Sequence, residues 1–442
     1  MRKLTTILFV ALLAVSACST DPGGEASAEE TTTTSTTTDD GSSTTSEPAE
    51  SDDPRAPGVT EDTIKVGVTY PDLRAVQATI GINHGDYEVA YRAVAEALNE
   101  RGAFGDRRVE LVFAPVDPQQ SDAPTAACTK LAQDEQVFVV LGFFQADEVL
   151  CYVDTNEVPV LGGSMSRERL EKAKVAWFTV NATEDLQADA TQDLIEAGVF
   201  GDSVAVLGTT EDIPLFDEVV GPQFEEAGMD VIGPAYIDNT SGDANTVFAN
   251  ADTILDRFEA EGAEQLFVIG NSAAFVVSLR LAAHRFSPQM VFADSSSVTG
   301  FVQGEGSDLS PLEGSVAMGL FDENNRFDEL DHEVTAECVE ILDAAGHTMI
   351  PLDEVPEGDL RNAVSGFDAC KKLYLLAAIV EAAGEDLDYG TFRRAGYGLG
   401  EVDLPGIPEP AVFGAPPSAD GDLPLLLFRW DPAVNAFATD EL

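Results

Sequence analysis

The chain has 442 residues, with 24 Lys and Arg against 79 Asp and Glu, and a formal net charge of -55. This length allows two sizeable domains, and 44% hydrophobic with 8% aromatic residues suits a globular protein. The charge argues against nucleic acid and anionic membrane surfaces as partners, because phosphates would be repelled. It reads as a solubilising acidic surface, with a cation-attracting site as the sharper alternative.

The N-terminus carries an export signal. Arg2 and Lys3 precede an apolar run from Leu4 to Val15, and Val15-Ser16-Ala17-Cys18 closes it with small residues before a cysteine. This resembles the bacterial lipobox, so residues 1–17 are expected to be a lipoprotein signal peptide and Cys18 the acylated mature N-terminus. An ordinary secretory signal cut near Ala17 is the alternative. The rest of the chain is then expected outside the cytoplasm, anchored by lipid to the outer face of the cell membrane. Residues 18–59 are mostly Thr, Ser, Glu, Asp, Gly and Pro and bury too little to offset ordering entropy. They form an expected disordered tether, on the order of 35 Å end to end as a random coil.

Four further cysteines, Cys128, Cys151, Cys338 and Cys370, invite two disulfides in an oxidising compartment. Sequence alone allows three pairings. Cys128 and Cys151 lie on successive predicted helices, as do Cys338 and Cys370, and these two pairs are the expectation. No two cysteines have a metal-ligand spacing, and no metal or cofactor is expected.

Folded grammar begins at Val59. Thr63 to Thr69 is a β-branched, mostly apolar strand bracketed by turn chemistry. Asp86 to Glu100 follows as a helix with Val89, Ala90, Ala93, Val94, Ala97 and Leu98 on its apolar face. Strands at Arg108–Val116, Val137–Leu141, Val158–Leu161 and Ala176–Val180 then alternate with helices at Ala123–Gln133 and Glu148–Asn156. A second run repeats the pattern, with strands at Ser203–Leu207, Asp230–Ile237, Gln265–Ile269 and Met290–Ala293. Its helices are Leu186–Ala197, Phe216–Ala227, Ala249–Glu261 and Ala273–His284. Short βαβ connections predict parallel sheets with right-handed crossovers. The remainder is less regular: a possible strand at Gly314–Leu320, helices at Asp331–Ala345 and Phe367–Ala383, and a last strand at Leu425–Trp430.

Several stretches in this order carry a family resemblance: GVTEDTIKVGV, EALNERGAFGDRRVELVF, VPVLGGSMS, FTVNATEDLQADA, YIDNTSGDANTVFA and GFDACKKLYLLAAIVEAAG. Together they resemble the type I periplasmic binding proteins, of the group typified by branched-chain amino acid receptors of ABC transporters, from about Val59 to Ala438. The resemblance implies an α/β fold of two Rossmann-like lobes with parallel sheets, joined by a three-crossover hinge. Residues 60–180 and 296–394 would form the first lobe, and 181–295 and 395–442 the second.

Ligands of open α/β sheets bind beyond the carboxyl ends of the strands. Tyr70 follows the first strand. The resemblance puts a ligand-gripping serine where this chain has Gln145, Ala146 and Asp147, and an Ala-Ala-Thr where it has Ser164, Met165 and Ser166. It also puts an amine-binding acid near Asp294 and Ser295, a tyrosine at Ile213 and an aromatic near Asn271 and Ser272. Thr210, Asp212, Asn271, Ser272 and Asp294 would close the site from the second lobe. The same loops could equally be ordinary βα turns with Ser or Asp as N-caps. This lining is more polar than a leucine pocket, with Phe143, Phe144, Ile213 and Phe321 as its nearby apolar residues. It predicts a small polar or zwitterionic solute, with leucine weaker.

No HExxH, metal spacing of the four histidines or G-x-S-x-G elbow is present, so an enzyme is not expected. The leading expectation is a monomeric, lipid-anchored protein that captures a small-molecule solute by cleft closure and delivers it to the membrane subunits of an ABC permease. A ligand-sensing or regulatory lipoprotein of the same fold is the alternative.

Overall fold

The computed structural model describes residues 56–439, except 75–76, 78–82, 119, 121, 145, 164, 181–183, 239–243, 271–272, 299–300, 303–306, 320–326, 328–329, 352–353, 357–358 and 416–424. Cys18, residues 1–17 and most of the tether lie outside the described residues. The folded part starts inside the expected tether. Val59 is 6% exposed and bridges Ile64, because an apolar side chain here has a core to enter.

Strand β1 (Thr63–Pro71) lies inside the first sheet, one strand from its edge, and its Ile64, Val66 and Val68 are fully buried. Around it are β2 (Arg108–Val116), β3 (Val139–Gly142), β4 (Val160–Gly162) and β5 (Trp177–Phe178), in the order β2-β1-β3-β4-β5. All neighbours pair in parallel. Helix α1 (Tyr87–Glu100) is capped by Asp86, whose side chain accepts from the Val89 N–H at 3.1 Å. It buries Tyr87, Ala90, Tyr91, Val94, Ala95 and Leu98. Val89, expected on that face, is 38% exposed. The two tyrosines turn the buried stripe by part of a turn, because their rings reach further into the lobe than a valine does. Helix α2 (Ala123–Cys128) continues as a π-turn through Asp134. Helix α3 (Arg167–Lys172) follows β4.

Helix α4 (Glu184–Glu196) leads into the second sheet. This sheet contains β6 (Ser203–Thr209), β7 (Asp230–Ile237), β8 (Gln265–Val268), β9 (Gln289–Phe292) and β10 (Val316–Gly319). Helices α5 (Gly221–Glu226), α6 (Ala244–Glu261) and α7 (Ala273–Leu281) connect its strands. Helices α8 (Glu333–Ala344), α9 (Asn362–Ala383) and α10 (Tyr389–Tyr397) come next, and α9 packs on α1, β3 and β4. The chain then forms a two-stranded ribbon, β11 (Gly400–Val402) and β12 (Ala411–Phe413). It finishes with β13 (Leu426–Asp431) and β14 (Ala436–Thr439), giving a second sheet of order β14-β13-β10-β9-β8-β6-β7.

Strand β10 corrects one expected boundary. Residues from 296 were expected in the first lobe, yet Val316 and Ala317 pair in parallel with Val291 and Phe292 of β9. β13 then closes on β10 antiparallel. The return to the first lobe therefore comes after Gly319. A short apolar strand pairs with the nearest open sheet edge, and β9 offers one. The ribbon β11–β12 and β14 were not expected from a Gly- and Pro-rich tail. Leu404, Ile407 and Ala411 are fully buried there, so apolar anchors decide the path.

Both expected disulfides form. Cys128–Cys151 ties α2 to the helical turn after β3, and Cys338–Cys370 ties α8 to α9, with Cα separations of 6.4 and 6.2 Å. Among the described residues no helix is long and apolar enough to cross a membrane.

Candidate functional site

In the first lobe the site is built on a row of strand ends. Thr69, Gly142 and Gly162 are neighbours in register across β1, β3 and β4. A Cβ on Gly142 would fall 2.1 Å from the Thr69 carbonyl oxygen, and one on Gly162 would fall 2.2 Å from the Gly142 carbonyl oxygen. Both positions need glycine because neighbouring backbones approach so closely. The loops they release carry the expected site. Phe143 donates its N–H to Thr69 O at 3.2 Å, and its side chain is 37% exposed. Phe144 turns inward against Tyr152, with ring centroids 5.3 Å apart. Ala146 and Asp147 open a single 3-10 turn, Ala146–Val149.

Asp147 does not stand free. Its carboxylate accepts from Arg169 Nε at 2.8 Å, which ties the β3 loop to α3. Ser166 is the N-cap of α3, and its Oγ accepts from the Arg169 N–H at 3.2 Å. Its acceptor capacity is partly committed, while its O–H proton can still be donated. Trp177 Nε1 donates to Gly162 O at 2.8 Å, and Thr179 Oγ1 donates to Gly163 O at 2.7 Å. Gly162 and Gly163 are thus held from β5 and the residue after it. Gln145 and Ser164 lie outside the described residues.

Tyr70 stacks on Tyr87 at 5.0 Å and donates its hydroxyl to Glu88 at 3.1 Å. Burial, and then the Glu88 charge, push its phenol well above the ordinary value. It braces β1 against α1. Deeper in the lobe lies a polar group on the helix predicted over Phe367–Ala383. Lys372 is 1% exposed and pairs with Asp368, whose other oxygen accepts from Tyr91 Oη at 2.7 Å. The Lys372 stem runs under Gly162: a Cβ there would meet its Cε at 2.7 Å.

The second lobe repeats the strand-end plan with different chemistry. After β6, Thr209 donates both its N–H and its Oγ1–H to Asp212, at 2.6 and 2.8 Å. Thr210 starts the short turn between them and is half-buried. The Asp212 carboxylate rests against Gly270 at the end of β8, where a Cβ would fall 2.0 Å from its Oδ1. Ile213 beside it is 37% exposed. After β9, Asp294 is 5% exposed and accepts from Ser296 N and Ser296 Oγ, at 2.9 and 2.7 Å. Burial raises its carboxyl pKa, and the Ser296 bonds oppose that rise. Ser295 is fully buried, and its Oγ has no partner among the described residues. Asn271, Ser272 and Phe321 lie outside the described residues.

One cluster has the donors of a metal site. Asp256, Glu259 and His284 bring their ligand atoms within 4.8 Å of one another. However, His284 Nδ1 accepts from the Phe286 N–H at 3.0 Å, so the ring proton sits on Nε2 and faces Asp256 at 3.2 Å. The nitrogen nearest the carboxylates therefore offers a proton and not a lone pair.

The two α/β lobes with mainly parallel sheets match the comparisons. A family model described as a periplasmic binding protein matches residues 63–432. The chain belongs to the periplasmic binding protein family. This is a family of solute-binding proteins, not enzymes. No curated protein matches the sequence. Among solved structures, a leucine-binding protein from Thermotoga maritima is 14% identical with a TM-score of 0.60, covering 85% of this chain and 97% of that one. A solute-binding protein from R. palustris in complex with 4-hydroxybenzoate is 16% identical with a TM-score of 0.62, covering 86% and 96%. A fatty acid ABC transporter substrate-binding protein from Thermomonospora curvata is 15% identical with a TM-score of 0.59, covering 88% and 95%. At these identities the likeness shows the fold alone.

Proposed function

We propose that this periplasmic binding protein is a lipid-anchored, extracytoplasmic receptor, close in plan to the amino-acid group of its family. It captures a small polar or amino-acid-like solute between its lobes and delivers it to an ABC permease. The observation that carries the reading is the paired set of strand-end loops. The first lobe presents Phe143, the Ser166 hydroxyl and loop backbone held by Trp177 and Thr179. The second presents Thr210, Asp212 and Ile213. Contacts from both lobes favour the closed form, and a permease can read that form. The solutes printed for the similar structures differ widely, so they support a solute-binding role and leave the class to this chain's own residues.

Two measurements test the proposal. Native mass spectrometry of the purified protein, with calorimetry on each copurifying small molecule, should return a ligand of micromolar or tighter Kd. Failure to bind any small molecule counts against the receptor role. Detergent partitioning of Cys18→Ala should move the protein to the aqueous phase; unchanged partitioning sinks the anchor.

A further inference from the structure

We infer that the Cys128–Cys151 disulfide is a positioning device for solute capture: through Tyr152 and Phe144 it holds the loops after β3 and β4 against each other in their binding shape. The inference rests on the receptor reading and assigns it residues that lie behind the loops. The two disulfides differ in what they fasten.

Cys338 and Cys370 are both fully buried, where α8 meets α9. The same two helices have a second tie, from the Tyr374 hydroxyl to Glu337 at 2.7 Å. Lys372, two residues beyond Cys370, reaches Gly162 from another face of α9. This bridge fastens helix to helix. Cys128 instead ends α2, and Cys151 opens the turn Cys151–Thr155, with only Leu150 between it and the 3-10 turn Ala146–Val149. On each side of this bridge the chain widens into a π-turn, Thr129–Asp134 and Cys151–Thr155. Such turns are rare and concentrate at functional sites. The Asn156 side chain spans the pair. Its Nδ2 donates to Cys151 O at 2.7 Å and lies 3.5 Å from both sulfurs, and its Oδ1 accepts from Gln133 Nε2 at 3.0 Å.

From Cys151 the path to the loops is short. Tyr152 is the next residue, is 2% exposed and packs its ring edge-on against Phe144. Phe144 belongs to the loop after β3 and bears on the loop after β4: a Cβ on Gly163 would fall 3.0 Å from its Cδ2. With Phe144 pinned inward, its neighbour Phe143 is turned outward. The other ties of these loops, Asp147 to Arg169 and Gly163 to Thr179, are single hydrogen bonds or ion pairs from α3 and from the end of β5. Cys128–Cys151 is covalent and fixes the loop pair to α2. Without it a π-turn can tighten to an α-turn. Shedding one residue turns the side chains at its start by about 100°, which takes the Tyr152 ring off Phe144.

The test compares two double variants of the full chain, Cys128→Ser with Cys151→Ser and Cys338→Ser with Cys370→Ser. The bridges close spans of 23 and 32 residues, so their removal should lower the melting temperature by similar amounts. Only the first should speed amide hydrogen exchange over residues 143–153 of the ligand-free protein, by about tenfold or more. Phe144→Leu, with both bridges intact, should reproduce that rise, and it decides alone if the first double variant does not fold. Calorimetry with L-glutamine and L-leucine reads binding. For whichever binds the wild type, Kd should rise about tenfold in the first double variant, the scale of ordering two or three released side chains. It should be unchanged in the second. Equal exchange or equal Kd in the two double variants overturns the inference and leaves the receptor role standing, as does wild-type exchange in Phe144→Leu. If neither amino acid binds the wild type, the amino-acid-like reading of the solute fails, and the exchange comparison still decides the inference.

Discussion

The two halves of the candidate site use one topology to opposite ends. In the first lobe the strand-end loops are tied to their surroundings: Asp147 to Arg169, Gly162 to Trp177, Gly163 to Thr179, Tyr70 to Glu88. In the second lobe each carboxylate turns back on its own short turn, Asp212 on Thr209 and Asp294 on Ser296. Two buried hydroxyls there are left without partners among the described residues. A loop held by other elements is preorganised, so binding costs it little ordering entropy. A loop whose carboxylate bonds within its own turn, beside unfilled hydroxyls, has more to gain from a ligand. The first lobe should therefore present a fixed face, and the second should gain more order on closure.

The comparison is broken most severely at the glycine row. Gly142→Ala drives a Cβ into the Thr69 carbonyl and should cost about 3 kcal/mol or more in urea unfolding. A loss under about 1 kcal/mol would mean that the β1–β3 ends can part, and the fixed-face reading would fall. The buried pair beneath Gly162 comes next. Asp368→Asn leaves the Lys372 ammonium without its carboxylate and should cost about 3 kcal/mol, while Asp368→Asn with Lys372→Met should recover most of that loss. Equal stability of the single and double variants would remove the pair from the account.

Acid pH sharpens the contrast from the first-lobe side. His84 bonds Tyr87 Oη at 2.9 Å, and burial lowers its pKa to about 4. A depressed histidine pKa means that the unfolded chain takes up the proton first. Its contribution is fully present above about pH 6.5 and is lost as pH falls toward 4, amounting to about 2 kcal/mol after allowance for partial exposure. Melting curves of His84→Gln should be flatter than wild type across that window; parallel curves would assign the acid sensitivity elsewhere. The smallest effects come from paired serines. Ser166→Ala removes the α3 cap and should cost about 1 kcal/mol in addition to any loss of ligand. Ser295→Ala removes an unpartnered buried hydroxyl and should be neutral or stabilising by up to about 1 kcal/mol without ligand, yet weaken binding. If both substitutions cost the same in the ligand-free protein, the two lobes do not differ in the way described.

Periodicity and turn chemistry in the sequence were enough for the alternation of strands and helices through β9. The reason is local: a strand buried on both faces and a helix buried on one leave different apolar spacings. The two disulfide pairs were also legible, because successive helices of one lobe bring their cysteines together. Candidate site positions were read from strand ends, and their hydrogen-bond partners were not. Asp147 and Ser166 read in the sequence either as ligand groups or as N-caps of ordinary βα turns; Ser166 caps the Arg169 N–H, and nothing in the spacing says that the Arg169 side chain folds back onto Asp147. The lone KK in GFDACKKLY gives no sign that Lys372 is buried over Gly162 with Asp368 and Tyr91, since that needs α1, α9 and β4 to meet. The membership of β10 in the second sheet was equally invisible, because four apolar residues can extend any open edge. Local patterns therefore settled which elements form. Partners far away in sequence settled which edge each strand joins and which polar groups remain for a solute, because pairing and burial depend on neighbours that only the folded chain supplies.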